Sequence, residues 1–134
     1  MNTVQPNSLL RRALQLDALL SGGAGLLLCL GAAPLSALLG LPLALLQIAG
    51  LLMLPWCGVL LWMARRAPLD RRAVWAVIAI NAAWVVDSFL LLASGWVQPT
   101  FWGQAFVIAQ ALAVVLFAEL QYLGLKRSAE AVCG

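Results

Sequence analysis

The sequence contains no histidine, and only 10% of its 134 residues are charged. An ordinary soluble domain carries about 25%. A water-facing surface cannot be assembled from so little charge, which excludes a soluble globular fold. Without histidine, the common zinc and haem ligation patterns lose their main ligand. The three cysteines, Cys29, Cys57 and Cys133, form no CxxC pair, so neither a redox dithiol nor a thiolate zinc site is indicated. Cys29 and Cys57 fall in apolar runs, where a thiol acts as a small hydrophobe. No Ser/His/Asp, Cys/His or metal constellation is available. The chain is therefore not expected to be an enzyme, and no cofactor is expected. Polar linkers are also missing, so residues 1–134 read as one integral membrane domain.

What the sequence has instead is apolar length, 64% hydrophobic residues in all. Between Arg12 and Arg65 the single charge is Asp17; between Arg72 and Lys126 the charges are Asp87 and Glu119. A helix needs about 20 apolar residues to cross the hydrocarbon core, and each block holds two such spans. The reading is an all-α membrane protein, a four-helix transmembrane bundle made of two helical hairpins. The spans are expected at about 13–32, 43–64, 73–95 and 101–125. Arg11 and Arg12 could head a signal peptide, but the apolar run after them is about 20 residues, beyond the usual 7–15. The first span is thus expected to be retained.

All eight basic residues flank the spans on one side: Arg11 and Arg12, then Arg65, Arg66, Arg71 and Arg72, then Lys126 and Arg127. The positive-inside rule places that side, with both termini, in the cytoplasm. Such small flanking clusters are topology determinants, so the net charge of +3 does not imply nucleic acid. Trp96, Phe101 and Trp102 supply an outer aromatic belt, and Trp62 and Trp75 an inner one. The outer connection "APLSALLGLP", bracketed by Pro34 and Pro42, is apolar enough to lie at the interface as a short half-turn. Pro55 removes a backbone hydrogen bond inside span two and is expected to kink it. A shift of 64 residues lays Asp17 on Asn81 and Gly31 on Gly95, a faint parallel repeat of one hairpin.

Helices in lipid approach closely through small residues. Span one carries Ser21, Gly25 and Cys29 at four-residue spacing, with Ala18 and Gly22 alongside. Span three carries Ala79 and Ala83, and the row continues to Asp87. Span four carries Ala105, Ala109 and Ala113. Each row is expected to form a helix–helix seam.

Polar groups inside the spans are the candidate site residues: Asp17, Asn81, Asp87, Gln110 and Glu119. An ionisable group there costs about 2.5–3.5 kcal/mol on insertion scales and points to function. Asp87 lies roughly 13 Å below the outer belt, from a rise of about 1.5 Å per residue. With no cation near it in sequence, it ranks first. Hairpin geometry places it opposite Gln110, and an Asp87–Gln110 contact is expected. Glu119, roughly 10 Å from the inner interface, is expected to join Asp17, Asn81 and Gln121 in an inner polar cluster. Asp17 ranks last, since Arg12 or water could pair with it near the interface. For every alanine and glycine row, plain packing is a sufficient account.

Size and four-span architecture resemble the small multidrug transporters, whose first helix carries an essential acid. The residues around the acids here do not match that family, so no residue role is carried over. The functional expectation is a small bacterial inner-membrane protein. Its polar interior would bind or transport a small molecule, cation or proton, as a homo-oligomer. The alternative is a non-catalytic accessory or scaffolding subunit of a larger membrane complex. In either case its surroundings are the lipid bilayer, with a lipid or amphipathic small molecule as a possible ligand.

Overall fold

The computed structural model describes residues 3–130, and within them the chain is overwhelmingly helical. Four helices are long and apolar enough to cross a membrane: α1 (Ser8–Leu30), α3 (Leu43–Ala64), α4 (Arg71–Ala93) and α5 (Phe101–Arg127). This is the build of a multi-pass membrane protein. A fifth, short helix, α2 (Ala32–Leu39), replaces the half-turn expected between the first two spans.

Caps, rather than charges, set the boundaries. The Asn7 side chain accepts a hydrogen bond from the Leu10 amide at 2.8 Å, so α1 starts several residues before Arg12. Asp70 caps α4 by accepting from the Arg72 amide at 2.9 Å, and Thr100 caps α5 by accepting from the Gly103 amide. Such side chains satisfy amides that the first helical turn leaves unpaired. Arginines in those first turns do not stop the helix, because their long side chains reach the interface. α3 continues as one helix through Pro55.

The four long helices pack as an open arc in the order α3, α1, α5, α4. α1 is the hub. Against α3, Gly25 and Gly50 meet backbone to backbone: a Cβ on Gly50 would stand 2.9 Å from the Gly25 carbonyl oxygen and 2.8 Å from Cys29 Sγ. A Cβ on Gly22 would stand 2.8 Å from Cys57 Sγ. The expected row on span one is therefore a true seam. Against α5, Gly124 lets the Leu10 backbone approach so closely that a Cβ would fall 2.7 Å from it.

The other two alanine rows are not seams. Ala79, Ala83 and Asp87 on α4 are exposed, as are Ala105 and Ala109 on α5. α4 instead buries Val74, Val77, Asn81 and Ser88, and α5 buries Gly103, Val107, Ala111, Val114, Gln121 and Gly124. The physical reason is polar satisfaction. A buried amide without a partner costs more than an alanine seam returns, so both helices turn their amide-bearing rows inward.

The basic residues, both described chain ends and the α3–α4 connection lie at one end of the bundle, here the basic end. Three short strands cap it: β1 (Thr3–Gln5) pairs antiparallel with β2 (Leu69–Asp70) on one side and β3 (Ala129–Glu130) on the other. Val4 and Leu69 press into a core with Leu10, Leu14, Leu60, Val74 and Leu125. Ser128 locks the closure, accepting from the Asn7 amide at 3.1 Å and donating to the Gly124 carbonyl at 2.6 Å. At the opposite, turn end, Leu28, Leu39, Leu41, Leu46, Val97 and Val107 form a second core. There Thr100 ties the α4–α5 turn to α2, its amide donating to the Leu39 carbonyl at 3.0 Å and its hydroxyl to the Leu38 carbonyl at 2.8 Å. α3 and α4, the two ends of the arc, hardly touch.

Candidate intramembrane binding site

Because the arc does not close, a cavity of about 570 Å³ lies between α3 and α4, backed by α1 and α5. Leu45, Ile48, Ala49, Leu52 and Met53 form its α3 wall; Trp84, Asp87, Ser88 and Leu91 come from α4; Ala109, Gln110 and Ala113 come from α5. Asp17 and Ser21 of α1 also line it. A second cavity of about 260 Å³ adjoins it, adding Trp56, Ile80 and Asn81. Asp17, Ser21, Leu52, Met53, Trp84 and Val114 line both.

Asp17 anchors the deeper polar cluster. It is only 2% exposed, and its Oδ2 accepts from Asn81 Nδ2 at 2.9 Å and from Gln121 Nε2 at 2.7 Å. Asn81 Nδ2 also donates to Gln121 Oε1 at 3.0 Å, and Ser21 Oγ donates to Asp17 Oδ1 at 3.4 Å, a long contact. Three helices are thus joined through one carboxyl group. No cation pairs with it among the described residues. Ranked last from the sequence because Arg12 or water could pair with it, Asp17 is here the most enclosed acid among the described residues, and Arg12 does not pair with it.

Glu119 is not a member of this cluster, contrary to expectation; it is exposed, and its side chain makes no hydrogen bond among the described residues. Helical geometry explains why. Gln121 points inward, and a residue two positions away lies about 200° around the helix. One side chain excludes the other.

The expected Asp87–Gln110 contact is also absent. Gln110 does face this stretch of α4, but its partners are Trp84 and Ser88. Trp84 Nε1 donates to Gln110 Oε1 at 2.7 Å, and Gln110 Nε2 donates to Ser88 Oγ at 2.9 Å and to the Val107 carbonyl at 3.0 Å. Ser88 Oγ in turn donates to the Trp84 carbonyl at 2.8 Å. Asn81, Trp84 and Ser88 occupy one face of α4, at spacings of three and four. Asp87 is rotated about 100° from Ser88 and comes to the lip of the cavity, exposed and with no hydrogen-bond partner for its carboxylate among the described residues.

Of the five candidates, then, Asp17 and Asn81 meet directly, Gln110 and Asp87 line the same cavity, and Glu119 stands apart. Ser21, Trp84 and Ser88 add to the polar lining, and Gln121, expected in the inner cluster, bonds Asp17 and Asn81 behind it. Their signal was the helical row: stepping from Asn81 by three and four reaches Trp84 and Ser88. Among the described residues, no three His, Cys, Asp or Glu side chains are placed to hold a metal ion.

The lining is overwhelmingly apolar, with a few fixed polar groups, and its volume lies inside the roughly 300–1,000 Å³ of small-molecule sites. No protein-family model, no curated protein and no solved structure matches the chain.

Proposed function

We propose that this chain is a small membrane-embedded binding protein that takes up an amphipathic molecule from the bilayer between α3 and α4. The observation that carries this reading is the cavity of about 570 Å³, with Asp17, Ser21, Asp87, Ser88 and Gln110 in an otherwise apolar lining. The cap at the basic end supports a sideways route, because strands and packed leucines stand between the cavity and that end. With the basic end in the cytoplasm of a bacterial inner membrane, the molecule would be held in the membrane and released into it. Transport would require the Ser128 and Asn7 closure to open.

Native mass spectrometry of the protein from mild detergent tests the reading. Wild type should retain a small amphipathic adduct, and Ala49→Trp, which fills the α3 wall, should lose it. Identical adducts on both proteins would reject the cavity as a binding site.

The alternative is an accessory subunit that docks partner helices. The exposed small-residue row Ala79–Ala83 on α4 and the open surface at Gly23 and Gly58 favour it, since a partner helix could approach there. A partner protein co-purifying at fixed stoichiometry, with no small-molecule adduct, would select this reading.

A further inference from the structure

The hydrogen-bonding capacity left over in the larger cavity specifies what can bind there. A Trp indole has one donor, a Ser hydroxyl one, and a carboxamide two. Trp84 spends its N–H on Gln110, and Gln110 spends both of its N–H groups on Ser88 and the Val107 carbonyl. Ser88 spends its O–H on the Trp84 carbonyl, and Ser21 directs its O–H to Asp17. Every side-chain donor of the lining is therefore committed within the protein. What remains is acceptor capacity: a lone pair on Gln110 Oε1, the underused Oδ1 of Asp17, and the whole carboxylate of Asp87. Neither cavity has a lysine or arginine in its lining.

In the larger cavity a carboxylate, phosphate or sulfonate headgroup would find no uncommitted side-chain donor and would face two acids. A neutral acceptor such as an ester or ether would leave Asp87 uncompensated. A headgroup made of donors and bearing positive charge matches this leftover acceptor capacity, the Asp87 carboxylate first. Charge-assisted hydrogen bonds to a carboxylate are stronger than neutral ones, and stronger still where water is excluded. We infer that the ligand is an amphipathic amine: an alkyl or aryl body against Leu45, Ile48 and Leu52, with a protonated amino group on Asp87. This inference rests on the binding reading above and adds the chemical class and the counter-ion.

Three photoreactive alkyl probes with identical chains, ending in a primary amine, an alcohol or a carboxylate, separate the possibilities. Each is presented to the full-length protein in nanodiscs of zwitterionic lipid, and labelled positions are mapped by mass spectrometry. Comparison of wild type with Asp87→Asn in the same lipid cancels differences in partitioning. Asp87 is exposed, so the substitution leaves the packing of the bundle untouched; Glu119→Gln, an exposed acid outside the cavity, is the control. The expected result is cavity labelling by the amine that falls about ten-fold or more in Asp87→Asn, the size of one charge-assisted hydrogen bond. Alcohol labelling should be weak and unchanged, and Glu119→Gln should match wild type. Equal labelling by amine and alcohol, or amine labelling indifferent to Asp87→Asn, overturns the amine assignment and leaves the binding site standing. If no probe labels the lining above the level of the exposed α5 face, both the assignment and the binding reading fall.

Discussion

The side chains of Asp17 and Asn81 lie 64 positions apart in the chain and meet at 2.9 Å inside the bundle. This contact joins α1 to α4, two helices whose backbones do not pack against each other. Across the interior of the arc, α1 and α4 are thus tied by a hydrogen bond rather than by a seam. Gln121 reinforces it from α5, bonding both partners.

Substitutions at Asp17 separate charge from hydrogen bonding. Both amide donors converge on Oδ2, whereas Oδ1 faces only the Ser21 hydroxyl. An asparagine here can place its oxygen where Oδ2 stands and turn its NH2 toward Ser21. Asp17→Asn should therefore keep stability within about 1 kcal/mol, the net value of a typical hydrogen bond. Asp17→Leu strands the Asn81 and Gln121 donors and should cost about 1–3 kcal/mol. Adding Asn81→Leu and Gln121→Leu should recover much of that, because neither amide donor is then left unpaired. Reversible unfolding in mixed micelles measures all three. Loss of the fold in Asp17→Asn would show that charge, not hydrogen bonding, holds the cluster.

Much of the architecture was legible in the sequence because it follows from one quantity, the length of apolar chain between arginines. The spans at 43–64 and 101–125 begin where α3 and α5 do, and α1 and α4 begin earlier only because Asn7 and Asp70 cap them. Rotation of each helix about its axis was less legible. Alanine rows and amide rows compete for the interior, and the outcome depends on whether a partner exists on another helix. For α4 and α5 the amides won, which moved Asp87 from a seam to the cavity lip and Glu119 to the outside. The contact between Asp17 and Asn81 was legible only as membership of one inner polar cluster.

Glycine substitutions should divide sharply by location. A Cβ on Gly103 would collide with the Leu39 carbonyl, and one on Gly50 would crowd the Gly25 carbonyl at 2.9 Å. Those obstacles are backbone and cannot move aside cheaply, so Gly103→Ala and Gly50→Ala should each cost about 1–3 kcal/mol, the range for overpacking. A Cβ on Gly58 meets nothing within 4 Å. Gly58→Ala should be neutral or gain up to about 1 kcal/mol from helix propensity. Thermal denaturation in one detergent ranks the three. Strong destabilisation by Gly58→Ala would instead indicate a partner surface there, as the accessory-subunit reading requires.

The cap at the basic end should open locally before the bundle does. Ser128→Ala removes the acceptor for the Asn7 amide and the donor to the Gly124 carbonyl. Two hydrogen bonds at about 1 kcal/mol each are enough to raise local opening while α1 and α3 remain packed through Gly25 and Gly50. Hydrogen exchange should speed up for residues 3–7 and 69–70 in Ser128→Ala and stay unchanged at the Asp17 cluster. Faster exchange at both places would mean that the cap and the bundle unfold as one unit.

Sidedness is the prediction on which the route of the ligand depends. Arg66 and Gln98 lie at opposite ends of the bundle, the first stacked over the Trp62 ring at 4.6 Å, the second in the turn before α5. Single cysteines at these positions, in a background with Cys29, Cys57 and Cys133 replaced by alanine, can be probed in intact bacterial cells with a membrane-impermeant maleimide. With the basic end in the cytoplasm, Gln98→Cys should be labelled from outside and Arg66→Cys only after the membrane is permeabilised. The reverse pattern would put the arginines outside and invert the bundle. The cap would then close the outer end, and Asp87, in the turn-end half of α4, would lie nearer the cytoplasm. An amine drawn from the outer leaflet would have to cross most of the bilayer to reach it. Labelling of Gln98→Cys from outside places the acid within reach of that leaflet, where the lip of the cavity opens between α3 and α4.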